Sequence, residues 1–260
     1  MEELLCYKHV EISYGLHAIV HDLNFSLHKG EILGLVGESG SGKSTIIKAV
    51  MGLLGNYGTV SRGDIWFEGK NLPDLPEKEM RQIRGAKIGM IFQDAGASLC
   101  PIRTIGQQIV ESMSAHGTIS KETARQEALE MFEKLDFKDG QRIWESYPFE
   151  LSGGMNQRAG VAIAMLLHPQ ILLADEPTSA LDVAVQRQVV QEMMNVRDMF
   201  GTAVIIVTHD IGVVSAMADT ILVLQDGNTM EYGPAAEVLS HPKDAYTRKL
   251  LSAVPRLHRI

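Results

Sequence analysis

Cysteine is nearly missing from this 260-residue sequence: Cys6 and Cys100 are the only two, far apart and without the spacing of a metal-ligand pair. That excludes a disulfide-built fold and fits a reducing compartment. Long apolar runs are missing too, since no window reaches the roughly 18 uninterrupted apolar residues needed to cross a bilayer. The longest candidate, from Val161 to Ala174, is broken at His168-Pro169-Gln170 and reads as a buried helix, a stop and a buried strand. Any membrane role is therefore expected to come through a partner. The opening residues Met1-Glu2-Glu3-Leu4-Leu5-Cys6-Tyr7-Lys8 lack the basic and apolar order of a signal peptide. Positive charge is in deficit: 24 Lys and Arg against 32 Asp and Glu leave a net charge of −8, which argues against a broad nucleic-acid footprint. Internal repeats and low-complexity linkers are not seen.

What remains is ordinary globular composition, 45% apolar and 22% charged, in a length that suits one large α/β domain or a core with an inserted subdomain. Alternation predicts strands over Leu4 to Ser13 and Leu23 to Leu27, a strand over Glu31 to Val36, and a helix over Lys43 to Leu54. A short glycine-bounded strand follows over Gly63 to Gly69, then a polar helix over Pro76 to Arg84 and a strand over Lys87 to Phe92. The period then changes to that of helices: Thr104 to His116, Ser120 to Leu135, and Gly153 to Leu167. Strand–helix alternation resumes with Ile171 to Ala174, Val183 to Phe200, Ala203 to Thr208 and Ile211 to Ala218. A hairpin, Ile221 to Leu224 and Thr229 to Tyr232, turns at Asp226-Gly227. The expected layout is one α/β domain over 1–260. It has a parallel-sheet nucleotide core of P-loop NTPase (RecA-like) type at 1–93 and 162–260, antiparallel strands at its start, and a helical insert at 94–161.

The segment Gly37-Glu38-Ser39-Gly40-Ser41-Gly42-Lys43-Ser44-Thr45 carries the most chemistry. It follows an apolar strand and opens a helix, the context that a phosphate-binding Gly-x-x-x-x-Gly-Lys-Ser loop requires. Small residues let backbone N–H groups curl around a β-phosphate, and the helix presents its positive end to the same anion. Lys43 is expected against the β- and γ-phosphates and Ser44 on Mg²⁺. A nucleoside triphosphate is the implied ligand. The strand Ile171-Leu172-Leu173-Ala174 ends in Asp175-Glu176, and buried carboxylates need a compensating partner. Beside a phosphate loop, Asp175 is expected to hold Mg²⁺ through water and Glu176 to polarise an attacking water. Leu151-Ser152-Gly153-Gly154-Met155 offers a hydroxyl, glycine N–H groups and a helix start, which suits a second anion as well as a plain helix cap. Two phosphate-seeking loops in one chain invite a head-to-tail pair of chains, each capping the other's nucleotide.

Taken together, the phosphate loop, Gln93, Leu151-Ser152-Gly153-Gly154-Met155, Asp175-Glu176, Ser179-Ala180-Leu181-Asp182 and Thr208-His209-Asp210 resemble, in order and spacing, the ATP-binding cassette ATPases. The resemblance covers essentially the whole chain. It implies ATP and Mg²⁺ as ligands, Tyr14 stacked on adenine, and Gln93 contacting Mg²⁺ and water while linking core and insert. It further implies Asp182 communicating across a dimer and His209 touching the γ-phosphate; Tyr14 in Ser13-Tyr14-Gly15 could also be a plain turn aromatic.

Three segments are similar to the peptide/nickel importer branch: Phe92-Gln93-Asp94 through Ser98-Leu99-Cys100-Pro101, Tyr147-Pro148-Phe149-Glu150 ahead of Met155, and His241-Pro242 with Tyr246-Thr247-Arg248-Lys249-Leu250-Leu251. Ala95, Cys100 and Asn156 depart from that branch, near the expected membrane-subunit contact. The end at Ile260, without a longer cysteine-bearing tail, leans the cargo toward nickel or a metal chelate over a peptide. The branch implies a second ATPase subunit, identical or related, two membrane permease subunits and an extracytoplasmic substrate-binding protein. It implies no nucleic acid, and places the chain at the cytoplasmic face of the inner membrane. The rival readings are a non-transport ABC ATPase acting on ribosomes or DNA, and a P-loop kinase. His17 and His21, four apart without a helix signal, do not read as a metal pair. His9, His28, His116, His168 and His258 read as surface or packing residues, and Glu122, Glu127, Glu130 and Glu133 as a solvated helix face.

Overall fold

The computed structural model describes residues 2–179 and 181–252; Ala180 and His258, named above, lie outside the described residues. The chain begins with β1 (Glu3–Tyr14), β2 (His17–His28), β3 (Ile32–Val36), α1 (Lys43–Val50), β4 (Gly58–Phe67), β5 (Lys70–Asn71) and α2 (Glu77–Ile83). It continues through β6 (Ile88–Ile91) into five successive helices, α3 (Ala95–Ser98), α4 (Ile105–Ser114), α5 (Lys121–Lys134), α6 (Gly140–Glu145) and α7 (Gly153–Met165). After these come β7 (Ile171–Asp175), α8 (Val183–Phe200), β8 (Ala203–Thr208), α9 (Ile211–Met217), β9 (Thr220–Gln225), β10 (Asn228–Pro234), α10 (Ala235–Ser240) and α11 (Ala245–Ser252). Contacts divide the chain into two compact units, one up to Met80 and from Ala203 onward, the other Arg81–Thr202.

The first unit holds an antiparallel sheet in the order β2-β1-β4-β5. It also holds the parallel strands β8, β3 and β9, with β10 antiparallel on β9. β3 and β8 are buried along their whole length, as parallel strands covered on both faces must be. The N-terminal strands run longer than alternation predicts. In β1 and β2, His9 and Asp22 adopt left-handed backbone at a register shift, and His9 Nδ1 meets Asp22 Oδ1 at 2.8 Å. Such a bulge breaks the period of two without ending the strand. Gly63, expected to bound a strand, lies inside β4 instead. A Cβ there would sit 2.2 Å from the His9 carbonyl oxygen, so this close approach needs glycine. α1 stops at Val50 rather than Leu54, because Gly52 turns into left-handed conformation and donates back to the Ala49 carbonyl.

The second unit pairs β6 and β7 in parallel and carries α3 to α8. α5 buries Ala124, Ala128, Met131 and Phe132 while Glu122, Glu127, Glu130 and Glu133 face solvent, as periodicity predicts. The α/β class, with parallel strands feeding helices and antiparallel strands at the start, is that of a P-loop NTPase.

Candidate functional site

In the first unit, β3 delivers Gly37 to the loop and α1 starts at Lys43. Gly42 caps α1 at φ 100°, a conformation that a β-carbon disfavours. At Gly37 a Cβ would lie 2.1 Å from the Leu224 carbonyl oxygen of β9, so only glycine fits. Lys43 is 5% exposed, yet its ammonium is not left bare. It donates to the carbonyls of Gly37 at 2.9 Å and Glu38 at 2.8 Å, and reaches Ser41 Oγ at 3.5 Å. A buried cation needs such acceptors, and a bound polyphosphate would offer stronger ones.

The loop is braced from outside. Gly227, at the turn between β9 and β10, donates to the Ser41 carbonyl at 3.1 Å, and the Glu38 N–H donates to the Tyr246 hydroxyl of α11 at 3.1 Å. Burial pushes the Tyr246 hydroxyl above its ordinary pKa, partly offset by the Glu38 N–H, so it stays a neutral hydroxyl. Neither brace follows from the motif's own spacing. Tyr14 ends β1, half-buried, with its ring over Gly58, where an added Cβ would lie 2.9 Å from Tyr14 Cε1. Ser39 and Gly40 are exposed, and Ser44 and Thr45 are partly exposed in the first turn of α1. His209 is exposed just beyond β8, and its turn is fixed on both sides: Asp210 N donates to Thr208 Oγ1 at 3.0 Å, and Asp210 Oδ1 accepts from Gly212 N at 2.7 Å.

In the second unit, β7 carries Asp175, 5% exposed, to its C-terminal end. Glu176 then takes φ 44°, left-handed backbone in a non-glycine residue. That conformation costs about 1–2 kcal/mol and concentrates at functional positions. Its carbonyl is held by Ser179, through N at 3.1 Å and Oγ at 2.9 Å. Gln93 Nε2 donates to Glu176 Oε2 at 3.4 Å, so two expected site residues meet. Asp182 caps α8, accepting from the N–H groups of Ala184 at 3.0 Å and Val185 at 3.1 Å. That capping is itself a reason for an aspartate there.

Ser152 caps α7 in the same way, its Oγ accepting from Met155 N at 3.3 Å; Ser152 and Gly153 are exposed, Gly154 and Met155 partly so. A Cβ on Gly154 would lie 2.5 Å from Val185 Cγ1, so α7 and α8 approach too closely for alanine. Asn156 faces inward, donating to the Pro148 carbonyl at 2.9 Å, so this departure from the branch is a packing contact rather than a surface one. The backbone of Cys100 is held by Gln108 from both sides. Sequence reasoning missed the buried Arg158–Glu192 ion pair between α7 and α8. Only a charged residue on the inward face of each helix signals it.

In the first unit Ser44, and in the second unit Gln93 and Asp175, each carry an oxygen donor of the hard kind that Mg²⁺ takes. Among the described residues no group of three or more His, Cys, Asp or Glu forms a metal cage. Mg²⁺ is ordinarily held by one or two carboxylates together with substrate phosphates, so the residues present fit it.

The family model described as ABC transporter matches residues 20–179. The oligopeptide transport ATP-binding protein OppD of Haemophilus influenzae is 43% identical, over 99% of this chain and 80% of that protein. OppD of Escherichia coli is 45% identical over 98% and 77%, and the dipeptide transport ATP-binding protein DppD of Bacillus subtilis 41% over 99% and 78%. A dimeric ATP-binding cassette solved in a post-hydrolysis state with ADP and Pi superposes with a TM-score of 0.77 at 28% identity, over 89% of this chain and 99% of that one. The structure of cbiO1 of Clostridium perfringens, part of the ABC transporter complex cbiONQ, shares the fold at a TM-score of 0.80 and 24% identity, over 98% of this chain and 97% of that one. With its phosphate loop, Asp175-Glu176 strand end and Ser152-capped helix in family order, the chain belongs to the ABC transporter family, as one of its ATPase cassettes.

Proposed function

We propose that this chain is the ATP-hydrolysing subunit that powers import of peptides through separate membrane subunits. The observation that carries this reading is the Gly37–Thr45 loop with its buried, carbonyl-held Lys43, on a chain similar over nearly its full length to oligopeptide and dipeptide transport ATP-binding proteins. Those relatives favour a peptide over the nickel or metal-chelate cargo. They also favour a transporter over a ribosome- or DNA-directed ATPase.

In the proposed mechanism Lys43 keeps the Gly37 carbonyl and turns its other two N–H groups from Glu38 and Ser41 to the β- and γ-phosphates, while first-turn N–H groups of α1 take the remaining phosphate oxygens. Ser44, Gln93 and Asp175 would hold Mg²⁺, which would supply positive charge against the negative charge that develops during hydrolysis. Glu176 takes the proton side of the attacking water, kept in place by its strained backbone and the Ser179 bonds, and His209 orients that water. Tyr14 carries the adenine. Ser152, Gly153, Gly154 and Met155 address the nucleotide of a second ATPase subunit, and Asp182 lies at that subunit boundary. Among the described residues no helix is long and apolar enough to cross a membrane. Attachment to two permease subunits at the cytoplasmic face therefore supplies the membrane step, and a substrate-binding protein delivers cargo.

Reconstituting the chain with its membrane subunits in proteoliposomes tests this. Peptide-loaded binding protein is expected to stimulate ATP hydrolysis and peptide uptake together. Stimulation by a nickel chelate alone, or by ribosomes, would replace the proposal.

A further inference from the structure

The tail segment around Tyr246 has no assigned part in the nucleotide chemistry, yet it reaches the phosphate loop. We propose that Tyr246 is a positioning residue for ATP binding, its hydroxyl fixing the Gly37–Glu38 peptide plane whose carbonyl holds the Lys43 ammonium. The inference rests on the phosphate-loop reading above.

The geometry is a two-sided clamp on one peptide unit. Its N–H, on Glu38, donates to Tyr246 Oη at 3.1 Å. Its C=O, on Gly37, accepts from Lys43 Nζ at 2.9 Å. A peptide is planar, so fixing the N–H direction fixes the carbonyl direction. Glycine at 37 gives this plane little resistance to rotation of its own. Were the plane to flip, an N–H would point at the ammonium and the lysine would lose an acceptor.

The tyrosine is itself held firmly. Its ring, 7% exposed, packs with Val36, Val214, Ile221, Val223, Ala235 and Val238. The turn before α11 is pinned by Glu231 of β10, whose carboxylate accepts from Lys243 N at 2.9 Å and Asp244 N at 3.2 Å. Asp244 Oδ1 then accepts from Tyr246 N at 2.7 Å, and Arg248 donates to the carbonyls of Pro242 and Lys243. The segment His241 to Arg248 is thus a rigid mount for one hydroxyl. Packing alone needs only the ring; phenylalanine would fill the same space.

The test compares wild type, Tyr246→Phe and Lys43→Ala. Tyr246→Phe keeps the ring and removes only the hydroxyl. Its Kd for a fluorescent ATP analogue and its KM for ATP are expected to rise about fivefold, the effect of one net hydrogen bond. Its kcat at saturating ATP is expected to stay within twofold, and amide exchange across residues 37–43 to quicken. A purely structural hydroxyl would leave the Kd and KM within twofold of wild type, and that outcome overturns the proposal. If Lys43→Ala binds ATP as wild type does, the phosphate-loop reading itself fails and takes the clamp with it. Loss of binding in Lys43→Ala with no change in Tyr246→Phe rejects the clamp alone.

Discussion

Glu192→Gln should change how stability depends on pH. Glu192 lies 4% exposed on the inward side of α8, paired with Arg158 of α7, while its Oε2 has no hydrogen-bond partner. Burial pushes its carboxyl from the ordinary 4.5 up to about 7, Asp136 adds in the same direction, and the Arg158 guanidinium offsets only part. Arg158 is otherwise well occupied, donating to the Leu135 carbonyl at 2.6 Å and lying 4.2 Å over the Phe137 ring. A carboxyl whose folded pKa lies above its unfolded value favours folding in acid, and that contribution is lost as pH rises through the folded pKa. The rise from 4.5 to about 7 corresponds to about 3 kcal/mol, withdrawn between those two values. Urea unfolding of both proteins from pH 4.5 to 8 reads this directly. Wild type is expected to lose up to about 3 kcal/mol more than Glu192→Gln across the window, or about 6–12 °C in Tm. All other titrating groups are common to both chains and cancel in the difference. Parallel stability curves would show that Glu192 ionises normally, and would refute the desolvation argument.

Two further outcomes follow from the site geometry. Gly154→Ala, whose Cβ would press on Val185 at 2.5 Å, should displace the start of α7 from α8 and cut hydrolysis at least tenfold while single-chain ATP binding persists; a wild-type rate would refute this. Lys43→Ala should weaken ATP binding by at least tenfold in equilibrium titration, since it removes a charge-assisted phosphate contact, and unchanged affinity would contradict it.

The parts most legible in the sequence are those where local pattern and tertiary burial agree. α8 and β8 run from Val183 to Phe200 and from Ala203 to Thr208 as read, because Asp182 caps one end, Gly201 turns the other at φ 67°, and every residue of β8 is buried. Elsewhere tertiary contacts override the pattern. The bulge at His9 and Asp22 hid most of β2, and Gly63 looked like a boundary because its need for glycine comes from the His9 carbonyl, a contact 54 positions away. α6 was missed because its six residues give too little periodicity, although Asp139 caps it. The chemistry-bearing residues Lys43, Asp175 and Glu176 stand out in the sequence because each motif directly follows its own apolar strand, β3 for the loop and β7 for the acids. Their supports were not: Tyr246 and Gly227 reach the loop from some 190 to 210 residues away, and no local rule links those positions to Glu38 and Ser41.

The account turns on Glu176 as the group that activates water for ATP hydrolysis, and Glu176→Gln tests it most directly. The amide keeps size and hydrogen bonding but cannot take a proton. With Mg²⁺ and radiolabelled ATP, the variant is expected to show no steady-state turnover while retaining unhydrolysed ATP in a dimeric species by size-exclusion chromatography. Continued release of ADP and phosphate at the wild-type rate would contradict the assignment.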